Sequence, residues 1–188
     1  MGGHVLLIGM MGAGKSTVGR IVADRMRRPF RDSDADVERR TGKSVPSIFA
    51  ERGEAAFRAE ERTALCTALA SGVPSVIAVA GGAVLDPEAR RRLRSAGVVV
   101  WLDAPPHTLA ERVGSGWGRP LLDEDPAGTL SRLDAVRRPV YGELADVVLR
   151  VGGRRPQALA EDVIRASRTL LECGCSAGTG PAVGASSW

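Results

Sequence analysis

The sequence predicts an α/β fold, a three-layer α/β/α sandwich around a central, mostly five-stranded parallel sheet. Three observations carry this. Short apolar runs show none of the polar alternation of half-exposed strands, as expected for strands covered on both faces. Amphipathic helical stretches separate those runs, which places helices in the crossovers. The first apolar run leads straight into a glycine-rich turn and then into a helical pattern.

Taken in order, His4 to Ile8 reads as a strand, and Val18, Ile21, Val22, Arg25 and Met26 recur at helical spacing after it. Phe30 to Asp32 is a brief second strand. Ser33 and Asp36 have the spacing of a capping box before a short helix that ends near Thr41-Gly42. A long helical region runs from about Val45 to Ala70 with a break expected at Arg52-Gly53. Val76 to Val79 is a third strand, entering Ala80-Gly81-Gly82. Asp86-Pro87-Glu88 starts a helix with an Asp cap and Pro in the first turn. Val98 to Leu102 is the fourth strand, followed by a helix near His107 to Val113. A Gly-rich loop over residues 114 to 120 precedes a helix around Thr129 to Arg138, a strand from Asp146 to Val151 and a helix from Pro156 to about Cys173.

The 188 residues suit one compact domain over 1–173, and 44% hydrophobic content is enough for a sizeable core. Residues 174–188 are uncharged and rich in Gly, Ala and Ser, the composition of a disordered tail. Aromatic content of 4% leaves few stacking platforms for single-stranded nucleic acid, and the formal charge of +4 comes from scattered arginines. The run Arg90, Arg91, Arg92, Arg94 reads as a solvated helix face. Three cysteines and no signal peptide fit a reducing compartment, and no apolar stretch reads as a membrane span. The expectation is a monomeric cytoplasmic protein acting on small molecules, without nucleic-acid or membrane partners. His4 and His107 read as surface or strand-end residues, and Trp101 as packing.

The basic residues are 24 arginines and two lysines, Lys15 and Lys43. Lys15 stands in Gly9-Met10-Met11-Gly12-Ala13-Gly14-Lys15-Ser16-Thr17, which fits G-x-x-x-x-G-K-[ST] at every fixed position, between a strand and a helix as that motif requires. The glycines let backbone N–H groups turn toward an anionic phosphate chain, and the helix adds its positive end. Gly12, Ala13, Gly14, Lys15, Ser16 and Thr17 are therefore candidate nucleotide-binding residues. Lys15 also serves as a catalytic point charge on the β- and γ-phosphates, and Ser16 as an Mg²⁺ ligand. No N-K-x-D reads guanine, so ATP is the expected nucleotide, and the chain length suits a small-molecule kinase.

Asp32-Ser33-Asp34 ends the second strand, and residues i and i+2 of an extended chain face the same way. Two carboxylates, Asp32 and Asp34, then converge: one can hold Mg²⁺ while the other orients or deprotonates an acceptor hydroxyl. Helix capping by Ser33 and Asp36 is the plainer reading of this segment taken alone. With G-M-M-G-A-G-K-S-T, F-R-D-S-D (30–34), G-E-A-A-F-R-A-E-E (53–61), A-G-G-A-V (80–84), R-P-L-L (119–122) and R-R-P-V-Y (137–141) in this order, the chain resembles the shikimate kinase family over roughly residues 3 to 172.

The resemblance implies a phosphate-loop NTPase-type fold with a mobile lid over about 114–124, and a substrate-binding helical region over about 33–61. It implies transfer of the ATP γ-phosphate to the 3-hydroxyl of shikimate, on the route to chorismate and the aromatic amino acids, with ATP as co-substrate and Mg²⁺. Arg58 and Arg137 match the family's carboxylate clamp, with Glu61 placed by helical spacing to hold Arg58. Asp34 matches the residue that binds the ring hydroxyls, and is also the candidate general base. Gly81 and Gly82 match a close backbone approach to substrate. Arg119 matches the lid arginine that stabilises charge on the transferring phosphoryl group, and Arg112 and Arg154 match arginines around adenine. Ala80 stands where the family usually has a glycine, so that position is expected not to need a positive φ. A different small kinase acting on a sugar acid or nucleotide, and a nucleotide-binding switch without an acceptor, are the competing readings.

Overall fold

The computed structural model describes residues 3–113 and 125–172. Five strands form one parallel sheet in the order β2-β3-β1-β4-β5. Strand β1 (His4–Ile8) is central. It pairs with β3 (Val76–Ala78) on one side and β4 (Gly97–Asp103) on the other, so that Val5 faces both Val76 and Val98. The edges are β2 (Phe30–Asp32) and β5 (Val147–Arg150). All of β1 and β3 is buried, and β4 is buried up to Leu102, which accounts for apolar runs without alternation. Strand β5 instead alternates between partly buried and exposed residues, as an edge strand can.

The helices are α1 (Lys15–Met26), α2 (Ser33–Thr41), α3 (Val45–Leu69), α4 (Pro87–Ala96), α5 (Pro106–Val113), α6 (Pro126–Leu144) and α7 (Pro156–Glu172), with a 3-10 turn at Ala83–Leu85. Helix α1 packs on α7, α2 on α3 and α5 on α6. The expected break in α3 falls at Gly53, whose φ of 76° and ψ of 175° interrupt the helix. A small second core of Val37, Ile48, Phe57 and Ala64 binds α2 to α3 apart from the main core. It is this separate core that fixes the helical region carrying Asp34, Arg58 and Glu61.

Two expectations need correction. The cap of α2 is Asp32, whose Oδ1 accepts the Asp34 N–H at 3.1 Å; the spacing suggested Ser33 with Asp36. Strand β2 passes into α2 without a loop, so its last residue is also the cap. Asp36 is buried and accepts from Arg31 and Arg39 instead. Helix α6 does not stop at Arg138 but continues through Pro139 to Leu144. Burial of Tyr141 and Leu144 offsets the roughly 3 kcal/mol cost of an internal proline. Of the two readings of His4, the strand end holds: it opens β1, buried at 5% exposure, and its Nδ1 accepts the Ser75 N–H at 3.1 Å.

Trp101 packs as expected, its ring centroid 5.7 Å from that of Tyr141. Arg91 and Arg92 pair with Glu88, and Arg94 with Glu143, on an exposed face. No described helix is long and apolar enough to cross a membrane. The loop at 114–124, with Arg119, and the segment 173–188 lie outside the described residues.

Candidate active site

A cleft of about 750 Å³ opens at the C-terminal ends of β1, β2 and β3. Open parallel sheets place their ligand sites at this end. Gly12, Ala13, Gly14, Lys15, Ser16, Thr17, Asp32, Asp34, Arg58, Glu61, Gly81, Gly82, Arg112, Arg137 and Arg154 all line it. Every described residue singled out from the sequence is therefore brought to one place.

On the loop side, Gly14 caps α1 with φ 90°, a left-handed conformation that favours glycine. No side chain caps this helix and its first turn holds no acidic residue, so its positive end is left for an anion. Lys15 Nζ donates to the carbonyls of Gly9 (2.8 Å) and Met10 (3.0 Å), which folds the side chain back over the loop. Ser16 Oγ donates to Asp32 Oδ2 at 2.5 Å. Two hard oxygen donors from different elements thus meet beside the loop, the donor type that Mg²⁺ prefers.

Asp34 is exposed and lines the cleft, where neighbouring protein crowds its carboxyl. That crowding, followed by the neighbouring Asp32 carboxylate, pushes its carboxyl above the usual range, against the pull of Lys15. A carboxylate shifted this way is a better proton acceptor than an unshifted one.

Across the cleft, Arg58 Nη1 donates to both oxygens of Glu61 (3.2 and 3.0 Å), while its Nε and Nη2 donate to Glu54 Oε1 (3.2 and 2.9 Å). Glu61 is 3% exposed. Burial raises its carboxyl from the usual value and Arg58 works against that rise. Arg137 is equally buried at 3%, but its circumstances differ. Its Nη1 lies 3.9 Å from Met10 Sδ, its Nε has no hydrogen-bond partner, and no carboxylate pairs with it among the described residues.

The two glycines explain how both guanidinium groups come so close. A Cβ on Gly82 would stand 2.5 Å from Arg58 Nη1, and one on Gly81 would stand 3.3 Å from Arg137 Nη1 and 3.1 Å from Tyr141 Oη. Adjacent residues are about 3.8 Å apart along the chain, so two cations converge over one short stretch of backbone. Ala80, just before them, does not have a positive φ.

Arg112 is exposed on α5, and Arg154 forms an ion pair with Asp162 of α7. The sequence reading missed Glu54, Tyr141 and Met10. Glu54 was accessible to it, since it lies four residues before Arg58 on the same helix. Nothing local marked Tyr141 or Met10, whose partners lie on other elements.

The shikimate kinase family profile matches residues 11–168. The chain belongs to the shikimate kinase family. A shikimate kinase of Burkholderia lata is 49% identical over 150 residues, covering 79% of this chain and 81% of its own length. One from Pseudomonas syringae pv. tomato is 43% identical over 162 residues, covering 86% and 94%. Among solved structures, shikimate kinase from Acinetobacter baumannii in complex with shikimate superposes with a TM-score of 0.86 at 34% identity, covering 90% of this chain and 94% of that one. A gluconokinase from Sinorhizobium meliloti, at 21% identity and a TM-score of 0.63, shares the fold.

Proposed function

We propose that this chain transfers the γ-phosphoryl group of ATP to the 3-hydroxyl of shikimate, giving shikimate 3-phosphate and ADP on the route to chorismate and the aromatic amino acids. The observation that carries the reading is Arg137: a buried guanidinium whose Nε has no hydrogen-bond partner and which forms no ion pair among the described residues, lining the cleft beside the Arg58 clamp. A buried unpaired charge costs several kcal/mol, so the site is built for an anion that arrives with the ligand. A planar carboxylate can take two parallel hydrogen bonds from a guanidinium. Arg137 and Arg58 bind the carboxylate of shikimate, Glu61 holds Arg58 in place, and the Gly81-Gly82 backbone lies against the substrate.

At the other end of the ring Asp34 accepts hydrogen bonds from the hydroxyls and takes the proton of the 3-hydroxyl as its oxygen bonds to the γ-phosphorus. The bond from that phosphorus to the β,γ-bridging oxygen breaks and ADP leaves. The residues of the phosphate loop, Gly12 to Thr17, bind the polyphosphate through backbone N–H groups, and Lys15 supplies a point charge to its β- and γ-oxygens. Ser16 and Asp32 would hold Mg²⁺, which supplies charge neutralisation on the β- and γ-phosphates. Arg112 and Arg154 flank the adenine. Residues 1–173 are read as a single kinase domain, with 33–61 as its substrate-binding region. The family resemblance gives residues 114–124, which lie outside the described residues, the part of a lid, with Arg119 stabilising charge on the transferring group.

The test is coupled ADP release with purified protein, ATP, Mg²⁺ and shikimate. Turnover that depends on shikimate is expected, and it should be lost in Lys15→Ala. Absence of shikimate-dependent turnover, or turnover on gluconate or a nucleoside monophosphate instead, overturns the reading.

A further inference from the structure

Tyr141 is fully buried, with its ring against Trp101. Phenylalanine would serve for that packing, so the hydroxyl needs its own explanation. A buried hydroxyl without a partner costs about 1–3 kcal/mol, and here its single proton goes to a backbone carbonyl. Oη donates to the carbonyl of Gly81 at 2.8 Å and lies 3.8 Å from Met10 Sδ. The same sulfur accepts from Arg137 Nη1 at 3.9 Å. Met10 is 2% exposed, so this sulfur is shielded from water.

Three chain segments distant in sequence therefore meet on two atoms. The phosphate loop contributes Met10, the turn after β3 contributes Gly81, and α6 contributes Tyr141 and Arg137. Around the Gly81 Cα, the Tyr141 hydroxyl, the Gly9 carbonyl and the Arg137 guanidinium all lie within 3.3 Å of where a Cβ would stand. Burial pushes the Tyr141 hydroxyl up to about 12, so it remains a donor throughout the working pH range.

We infer that Tyr141, acting with Met10, is a positioning residue that fixes the Gly81 backbone and the Arg137 guanidinium relative to each other and to the phosphate loop, so that the carboxylate end of the acceptor meets a preset site. Tyr141 does not touch the acceptor; it acts through the groups that do. The inference rests on the proposed shikimate kinase activity, and it goes beyond that activity in naming what holds the acceptor-binding groups in register.

Tyr141→Phe removes the hydroxyl and keeps the ring, and Met10→Leu keeps the bulk and removes the sulfur. In steady-state kinetics each variant is expected to raise the KM for shikimate by about threefold to tenfold, the worth of one hydrogen bond, while the KM for ATP and kcat stay within about twofold. A merely structural role would instead lower the melting temperature and leave the ratio of the two KM values where it was. An unchanged KM for shikimate in both variants, or equal changes in both KM values, overturns the inference while leaving the activity standing. A parent protein without shikimate-dependent turnover overturns the proposed function and this inference together.

Discussion

Replacing Gly82 with alanine tests the close approach between backbone and guanidinium, because the three nearest atoms an added Cβ would meet all belong to Arg58. Its φ of −87° and ψ of −19° suit alanine, and the substitution alone would favour folding by about 0.4–1 kcal/mol through the unfolded chain. The added Cβ, however, would stand 2.5 Å from Arg58 Nη1 and 2.8 Å from its Cζ. Ordinary contact needs about 3.5 Å, so the guanidinium must retreat by about 1 Å. Glu61 and Glu54 hold it in place, so retreat stretches hydrogen bonds that now measure 2.9 to 3.2 Å beyond useful length. Losing one charged hydrogen bond to the substrate costs about 1.5–3 kcal/mol, or roughly tenfold to a hundredfold in KM for shikimate. The assay is coupled ADP release at saturating ATP with shikimate varied, together with a thermal melt. A KM for shikimate within about twofold of the parent, in a protein that melts normally, would refute the argument that Gly82 sets the position of Arg58.

Arg137→Ala should raise the KM for shikimate at least about tenfold while moving that for ATP little, as loss of a charge-assisted clamp predicts; equal effects would place this arginine elsewhere. Asp34→Asn should abolish turnover yet raise the melting temperature at neutral pH. The carboxyl of Asp34 is raised in the fold, so its ionisation destabilises the folded state as pH climbs from its ordinary value of 3.8 through the raised one. The gain should therefore disappear below about pH 3.8, where the group is protonated in both states, and melts across a pH series will show whether it does. Asp36→Asn should cost about 1–3 kcal/mol in urea unfolding, since it leaves Arg31 without its buried partner; Arg39, being mostly exposed, contributes little.

What the sequence disclosed was mostly what is local in it. Residues 9–17 form the phosphate loop as one contiguous segment, and Arg58 with Glu61 follows from helical spacing. The parallel sheet followed from unbroken apolar runs, because burial on both faces leaves that signature directly in the order of residues. The cap of α2 was misplaced by one residue because a strand that becomes a helix without a loop leaves no turn residues to mark the boundary. The continuation of α6 past Pro139 was hidden since it depends on Tyr141 and Leu144 finding buried positions against distant segments. The same holds for the Tyr141 hydroxyl on Gly81, and for His4 beneath Ser75. Each is a single contact between residues far apart in the chain, and no periodicity encodes it. Arg137 was placed by resemblance alone; its missing hydrogen-bond partner became visible only in three dimensions.

The central position of β1 has a consequence for how the chain acquires this fold. Val5 pairs with Val76 and with Val98, so the strand that comes first in the chain gains its first hydrogen-bonded neighbour only from residues far along the chain and its second from residues just past its middle. Both ladders close large loops before they gain anything, which makes this a topology of high contact order and slow assembly. Until then a fully apolar strand with two open edges must be kept from pairing with other chains. The phosphate loop follows directly from that strand, so it is anchored on a strand whose two neighbours both come from later in the chain.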